Sequence, residues 1–262
     1  MRILILGGTT EATELSGLLA RALADGASGF EPTLSLAGRT RAPRLPAIPY
    51  RIGGFGGVKG LRHWLVEHRI GALVDATHPF AARISANAVA AGCEAGVPLG
   101  SILRPAWVPV AGDRWRDARS ADEAASLIGD APRRVFLSVG RLELPAFRAT
   151  PQHTYLARTI DPAGDIDLPP DIVVIESRGP FDVEAEMRLM REHAIEVVVS
   201  KNSGGAATTA KIEAARRLGL EVVMIARPVK PCGVPLADAA DALCWLEMLA
   251  RDHSKPRSAR EV

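Results

Sequence analysis

The chain has 262 residues, with 47% hydrophobic and 24% charged residues and a net charge of +2. These are the proportions of an ordinary globular protein with one large or two small domains, and they give no general basic field for nucleic acid or a membrane surface. The few aromatic residues argue against base stacking on nucleic acid. No apolar run reaches membrane-spanning length, and three cysteines without metal-ligand spacing indicate a cytoplasmic protein with no metal site.

The first predicted strand ends in a glycine turn, Gly7-Gly-Thr-Thr10, which a helical pattern follows. Unpartnered N–H groups and the helix dipole make such a helix start suitable for an anion. We expect Gly7 and Gly8 to let a pyrophosphate approach the backbone, with Thr9 and Thr10 as hydroxyl donors. The G-x-G-x-x-G fingerprint is absent, so an ordinary strand–helix turn with Thr10 as N-cap remains the alternative.

Apolar strand-like runs alternate with helical patterns through the rest of the chain. Several runs are continuously apolar, which is typical of parallel strands covered by helices on both faces. This alternation predicts an α/β fold of Rossmann-like, doubly wound domains with largely parallel sheets. The predicted strands cover 2–6, 33–37, 48–52, 72–76, 98–103, 134–139, 153–158, 171–176, 195–200 and 221–226, and the predicted helices cover 11–24, 58–69, 80–95, 120–129, 182–193, 205–218 and 237–250.

The predicted strands are too many for one sheet, and the alternation is interrupted at 104–119 by prolines, a glycine and charged residues. We interpret this stretch as the crossing between two domains. The prediction is an N-terminal domain over 1–118, a C-terminal domain over 119–250 and a frayed charged tail over 251–262. The sequence carries no signal for an oligomeric state.

The second predicted strand is followed by Arg39 and Thr40. In a dinucleotide-binding domain an acidic residue at this point usually binds the ribose 2′-hydroxyl of NAD, whereas an arginine accommodates the 2′-phosphate of NADP. The acidic residue is missing here, and a guanidinium fits phosphate geometry. These residues therefore predict NADP(H) rather than NAD(H), with a solvated loop arginine as the alternative.

The segment 74–79 (VDATHP) brings polar side chains to the end of a buried strand. Carboxyl ends of parallel strands are where α/β proteins bind ligands. We expect Asp75, Thr77 and His78 to face a ligand, with Arg83 one turn into the next helix. His78 is the candidate for proton transfer because histidine titrates near neutrality. The alternative is that Asp75 and Thr77 only cap the helix and that His78 is a surface residue.

Polar glycine turns also follow strands of the second half. Arg141 and Lys201 stand in two of these turns, and Ser203 and Gly204 share the turn with Lys201. Because the carboxyl ends of parallel strands meet at one edge, these residues predict a site for a substrate with several carboxylates or phosphates. The alternative is ordinary turn chemistry, for which serine, asparagine and glycine are common residues.

Five segments together resemble the precorrin-6A reductase family of cobalamin biosynthesis. They occur in the family's order and span most of the chain: 3–12 (ILILGGTTEA), 36–40 (LAGRT), 75–81 (DATHPFA), 200–205 (SKNSGG) and 222–228 (VVMIARP). The resemblance implies two Rossmann-like domains with NADPH and the tetrapyrrole between them. It also implies reduction of one ring double bond of precorrin-6A to give precorrin-6B.

These patterns together assign the candidate site. Two other functions stay open, namely an NADP-binding regulator without catalysis and a reductase of another polyanionic small molecule. The sequence also does not distinguish metal-free from cobalt-containing precorrin-6A as the substrate. The predicted catalytic residues are His78 and Asp75, the predicted NADPH contacts are Gly7, Gly8, Thr9, Thr10, Arg39, Thr40 and Thr77, and the predicted substrate contacts are Arg83, Arg141, Lys201, Ser203 and Gly204.

Overall fold

The computed structural model describes residues 1–26, 29–38 and 46–254. They form an α/β fold with two parallel six-stranded sheets, which confirms the predicted fold class. In chain order the elements are β1 (Arg2–Leu6), α1 (Thr10–Ala24), β2 (Glu31–Leu36), β3 (Tyr50–Ile52), α2 (Val58–Glu67), β4 (Ala72–Asp75), α3 (Ala82–Ala95), β5 (Leu99–Ile102), β6 (Arg114–Ala118), α4 (Ala121–Leu127), β7 (Arg134–Ser138), β8 (Thr154–Thr159), β9 (Ile172–Glu176), α5 (Val183–Glu192), β10 (Val197–Lys201), α6 (Ala210–Arg217), β11 (Glu221–Ile225), β12 (Val234–Leu236) and α7 (Ala239–Ser254), with 3-10 helices over Arg141–Ala149 and Ala206–Thr208.

The chain divides into two compact units. Unit 1 consists of Met1–Arg104 and Val229–Val262, and unit 2 of Pro105–Pro228. Among the described residues, no helix is long and apolar enough to cross a membrane. The three cysteines are exposed and form no disulfide.

The sheet of unit 1 has the strand order β3-β2-β1-β4-β5-β12. Every pair is parallel, and the order is that of dinucleotide-binding folds, with β12 in the sixth position. The order reverses between β1 and β4, and ligands of such folds bind in the crevice outside the carboxyl ends of the strands at this point. The topology therefore places the turns after β1 and β4 at a candidate site.

Successive side chains of β1 point to opposite faces of the sheet, and helices cover both faces. Ile3 and Ile5 are buried in one hydrophobic cluster with residues of α1 and α7, including Leu15 and Leu246. The intervening Leu4 and Leu6 belong to a second cluster, with residues of α2 and α3. The continuously apolar strand is thus explained by burial on both faces.

The sheet of unit 2 has the strand order β9-β8-β7-β10-β11-β6, again with parallel pairs. It reverses between β7 and β10 in the same way as unit 1 reverses between β1 and β4. The strand in the sixth position, β6, precedes the other five along the chain, so unit 2 is a circularly permuted form of the same order. Phe136 of β7, Val198 of β10 and Met224 of β11 share its core.

Two edge strands and the domain boundary differ from the sequence-based expectation. The segment 114–118 was predicted as part of a crossing, but it pairs with β11, and 234–236 pairs with β5. The first has three charged residues among its five, and the second contains Pro235; edge strands tolerate both because only one side needs partners. Unit 2 begins at Pro105, whereas the predicted domain boundary was at residue 118.

The C-terminal part of the chain also differs from the expected arrangement. It was predicted to complete the second domain, but the segment from Val229 onward belongs to unit 1. Of the predicted tail, residues 251–254 extend α7, and 255–262 lie outside the described residues.

Unit 2 buries a cluster of charged side chains. Arg158 of β8 forms a bidentate ion pair with Glu186 of α5, at 3.0 and 2.7 Å. Lys211 of α6 is 5% exposed and donates to the Thr208 carbonyl at 2.8 Å. Burial lowers the pKa of Lys211 to about 7, with Glu186 opposing the shift and Arg158 adding to it. The lysine therefore changes charge within the physiological range.

We expect Lys211→Met to raise the free energy of unfolding relative to wild type at about pH 7, with a gain that shrinks toward about pH 9.5. The pKa of Lys211 is 10.5 in the unfolded chain and about 7 in the fold. Between these values the native state binds fewer protons than the unfolded state, so wild-type stability rises with pH by up to about 1.4 kcal/mol per pH unit. The variant lacks this increase.

Thermal unfolding at both pH values measures the effect. Lys59→Met removes an exposed lysine and should show no pH-dependent difference from wild type. A gain for Lys211→Met that stays constant between the two pH values would contradict the lowered pKa.

Candidate functional site

The turn between β1 and α1 leaves open space in front of the helix. Gly8 has a φ of +111°, which favours glycine, and a Cβ built on it would meet nothing within 4 Å. Gly7 packs closely instead, because a Cβ there would lie 2.6 Å from Leu34 Cδ1. The exposed backbone at Gly8 and the start of α1 therefore fit the close approach of a pyrophosphate.

Thr9 is the N-cap of α1, so the alternative interpretation that gave Thr10 this role is wrong. The Thr9 Oγ1 atom accepts from the Ala12 N–H at 3.2 Å and donates to the Ala76 carbonyl at 2.7 Å. Its hydroxyl hydrogen therefore ties the start of α1 to the residue after β4. Thr10 is exposed in the first helical turn, so its hydroxyl is the better placed of the two for a ligand.

An ion pair stands beside this helix start. Arg104, which follows β5, donates from Nη1 to both carboxylate oxygens of Glu11 of α1, at 2.9 and 3.0 Å, and both side chains are mostly buried. Burial raises the pKa of Glu11, but the hydrogen bonds and charge of Arg104 outweigh it, and the pKa lies below its usual value. The pair lines a small pocket together with Ala76, Thr77, Pro79 and Ile102. Arg104 thus neutralises a carboxylate that would repel an anion.

Asp75, the last residue of β4, is 1% exposed, and both of its oxygens are engaged. Oδ1 accepts from the Thr77 N–H at 3.0 Å and from the Thr77 hydroxyl at 2.6 Å. Oδ2 lies 3.3 Å from Lys230 Nζ. The carboxylate therefore folds the turn after β4, and the Thr77 hydroxyl hydrogen is used within that turn. Lys230 was missed by sequence reasoning.

His78 follows this turn. Its Nδ1 accepts the Phe80 N–H at 3.2 Å, and the two rings lie 5.7 Å apart. A neutral imidazole whose Nδ1 accepts a hydrogen bond carries its proton on Nε2. In the neutral form of His78, the ring donor is therefore Nε2–H. Arg83 is exposed in the first turn of α3, as expected from its position.

Arg39 and Thr40 lie outside the described residues. A second guanidinium, which sequence reasoning missed, lies beside the end of β2. Arg51 of β3 donates to Ser35 Oγ at 2.7 Å, and its Cζ lies 4.0 Å from the centre of the Phe55 ring. Burial lowers its pKa below the usual value. No carboxylate of the described residues pairs with Arg51, so positive charge remains uncompensated at this edge of the sheet.

In unit 2, Lys201 at the end of β10 forms an ion pair with Glu143, at 2.8 Å. Gly140 makes room for this pair, because a Cβ there would lie 2.9 Å from Lys201 Nζ and overlap the Glu143 carboxylate. Arg141 donates to the Pro162 carbonyl at 3.3 Å. The two predicted cations thus lie at the carboxyl edge of the sheet, with Lys201 partly neutralised.

The turn after β10 is fixed by the segments at both ends of unit 2. Asn202 Oδ1 accepts from the Trp107 N–H at 2.8 Å, and Asn202 Nδ2 donates to the Trp107 carbonyl at 2.9 Å. Arg227 donates to the Asn202 carbonyl at 2.8 Å and to the Pro105 carbonyl at 2.9 Å. This turn therefore binds together the segment entering unit 2 and the segment leaving it.

Ser203 and Gly204 build this turn. Gly204 has a φ of +68°, and a Cβ on it would overlap the Pro105 carbonyl and the Arg227 guanidinium. Ser203 is buried, with its Oγ 3.4 Å from Thr208 Oγ1. Close backbone approach explains the glycine, a role that sequence reasoning did not separate from ligand binding.

We expect Gly204→Ala to lower the free energy of unfolding by about 3 kcal/mol or more, since a left-handed φ costs an L-residue about 1–2 kcal/mol before any overlap is relieved. Gly219→Ala is the matched control, because Gly219 has a φ of +66° and open space around its Cβ position. Gly219→Ala should lose only the part of the free energy of unfolding that comes from the left-handed φ, about 1–2 kcal/mol. Denaturant unfolding compares the two variants, and equal losses would contradict close packing at Gly204.

Comparison with known proteins gives consistent matches over nearly the whole chain. Residues 2–247 match the family model described as Precorrin-6x reductase CbiJ/CobK. A precorrin-6A reductase of Sinorhizobium sp is 51% identical, covering 92% of this chain and 90% of that protein. A cobalt-precorrin-6A reductase of Priestia megaterium is 27% identical, covering 86% and 90%. A solved structure of CobK precorrin-6A reductase is 46% identical, with a TM-score of 0.86 and coverage of 98% and 99%.

Proposed function

This chain belongs to the precorrin-6x reductase family, and we propose that it reduces one ring double bond of precorrin-6A to give precorrin-6B, with NADPH as the reductant. It is an oxidoreductase of cobalamin biosynthesis that acts on a carbon–carbon bond. The observation that carries the proposal is the glycine turn with open space at Gly8, at the strand-order reversal of unit 1. This is where dinucleotides bind in such sheets.

Residues of unit 1 would hold the cofactor. The Gly7–Gly8 backbone and the start of α1, with the Thr10 hydroxyl, would bind the pyrophosphate. Arg39 and Thr40 would bind the 2′-phosphate, and the uncompensated charge of Arg51 supports an anion at the same edge. When bound, NADPH supplies the hydride.

The carboxyl edge of unit 2 supports binding of the macrocycle. Leu142 and Ile160 are 63% and 54% exposed, and they stand in the segments that follow β7 and β8. Arg141 and Lys201 add positive charge at the same edge of the sheet. Apolar side chains beside cations suit a tetrapyrrole, which has an apolar ring system and carboxylate arms.

His78 is the residue we assign to the reacting part of the substrate. Its Nε2–H donates a hydrogen bond that orients the macrocycle. To deliver a proton, the ring must first be protonated at Nδ1, which breaks the hydrogen bond from Phe80. Asp75 and Thr77 would act as positioning residues, because their polar groups are engaged within the turn.

The proposed function includes a metal-free substrate and a cytoplasmic location. The relatives named precorrin-6A reductase are 43–51% identical to this chain, and those named cobalt-precorrin-6A reductase are 27–32% identical, which supports the metal-free substrate. The exposed, unpaired cysteines are compatible with the reducing cytoplasm that we propose as its location.

The direct test is to mix the protein with NADPH and precorrin-6A and follow the nicotinamide absorbance. We expect one NADPH to be consumed for each macrocycle reduced. Tight NADPH binding without consumption would instead indicate a regulator, and consumption only with the cobalt form would change the substrate.

We expect Arg39→Ala to raise the KM for NADPH by roughly tenfold to a hundredfold, because a charge-assisted phosphate contact contributes about 1.5–3 kcal/mol. The KM for NADH should change little, since NADH lacks the 2′-phosphate. Arg21→Ala, which removes an exposed arginine of α1, is the control. Equal effects of Arg39→Ala on both cofactors would contradict the 2′-phosphate role.

His78→Ala and Lys201→Ala should have opposite kinetic signatures. Loss of the His78 donor should lower kcat more than it raises the KM for precorrin-6A. Loss of Lys201 leaves the Glu143 carboxylate unpaired, so it should raise the KM for this anionic substrate by about tenfold, with a smaller change in kcat. Steady-state kinetics with both substrates varied measures the split, and near-normal kcat in His78→Ala would reassign His78 to binding.

A further inference from the structure

We infer that Lys230 is a positioning residue for the reduction, which holds the turn of residues 75–78 and thereby fixes the direction of the His78 imidazole. The inference rests on the proposed function, because it needs His78 to meet the substrate. No sequence motif singled out Lys230, which lies in the segment that returns to unit 1 from unit 2.

The ammonium group of Lys230 has three donors, and three acceptors of one turn surround it. Nζ lies 3.3 Å from Asp75 Oδ2, 3.3 Å from the Thr77 carbonyl and 3.2 Å from Thr77 Oγ1. The side chain is 9% exposed and the Asp75 side chain 1%, so little water competes for these bonds. The Thr77 hydroxyl donates its hydrogen to Asp75, so its oxygen is left to accept a hydrogen bond. The Lys230 ammonium group is the donor.

The same turn is held from its other side by α1. The Thr9 hydroxyl donates to the Ala76 carbonyl at 2.7 Å, so residues 75, 76 and 77 each have a polar group bound by a distant part of unit 1. His78 comes directly after them, and its ring is oriented by the Phe80 N–H. The backbone that carries His78 therefore has little freedom while Lys230 and Thr9 stay bonded. Without Lys230, one of the two supports is lost.

The position of Lys230 is specific to this task. It is too buried to meet a ligand directly, and its bonds go to a turn that the proposed function assigns to the reaction. Three positions earlier, Arg227 is bonded within unit 2 to the carbonyl groups of Asn202 and Pro105. Lys230, by contrast, bonds to a turn within unit 1.

The test compares Lys230→Met with wild type in two readouts. The first is steady-state kinetics, in which kcat for precorrin-6A reduction should fall by about tenfold to a hundredfold while the KM for NADPH changes by less than about twofold. The second is the His78 tautomer, read from long-range ¹H–¹⁵N NMR of the imidazole with the signal assigned by its loss in His78→Ala. Wild type should show the Nε2–H form, and Lys230→Met a shifted or averaged signal. Lys59→Met, which removes an exposed lysine of unit 1, should leave both readouts unchanged.

A folded Lys230→Met protein with wild-type kcat and an unchanged His78 signal overturns the inference. If that variant does not fold because the Asp75 charge is left buried alone, Asp75→Asn/Lys230→Met removes both charges and is measured in the same way. The NMR readout needs no substrate, so it tests Lys230 even in the absence of turnover. If the His78 signal changes in Lys230→Met as expected but the wild-type protein does not reduce precorrin-6A, the proposed function alone is overturned.

Discussion

Both sheets are parallel throughout, and this constraint decides where the chemistry of the molecule lies. A parallel pair needs a crossover between its strands, so all the carboxyl ends meet at one edge of the sheet. The inner strands β1, β4, β7, β10 and β11 are mostly buried and carry few polar side chains. Polar groups therefore collect in the turns at that edge, which include 7–10 and 75–78 in unit 1 and 202–205 in unit 2.

Within these turns, most of the polar groups satisfy one another. Thr9 binds the carbonyl of residue 76, Asp75 binds Thr77, and the turn at 202–205 binds the chain that enters and leaves unit 2. A buried polar group without a partner is costly, so each turn uses its own side chains to hold its shape. The open backbone at Gly8 is the part of these turns best suited to a ligand.

The fold class was predictable from sequence because continuously apolar strands and amphipathic helices leave local patterns. The locations of the three polar turns were predictable for the same reason. The edge strands 114–118 and 234–236 were not, because charged residues and a proline hide an extended segment that pairs on one side only. Lys230 was missed because its partners are about 150 positions away, and the glycine at 204 was misread because sequence shows a residue type and not the backbone packed against it.

The sixth strand of unit 1 has a consequence for the order in which the protein is made. Residues 1–104 are synthesised before unit 2, but β12, α7 and Lys230 follow the whole of unit 2. Unit 2 has all six of its strands as soon as its last residue is synthesised, whereas unit 1 must wait with an unpaired edge at β5 and an uncovered helix face at α1. Unit 1 is therefore completed after unit 2, and Lys230 reaches the turn before His78 only once unit 2 has been made.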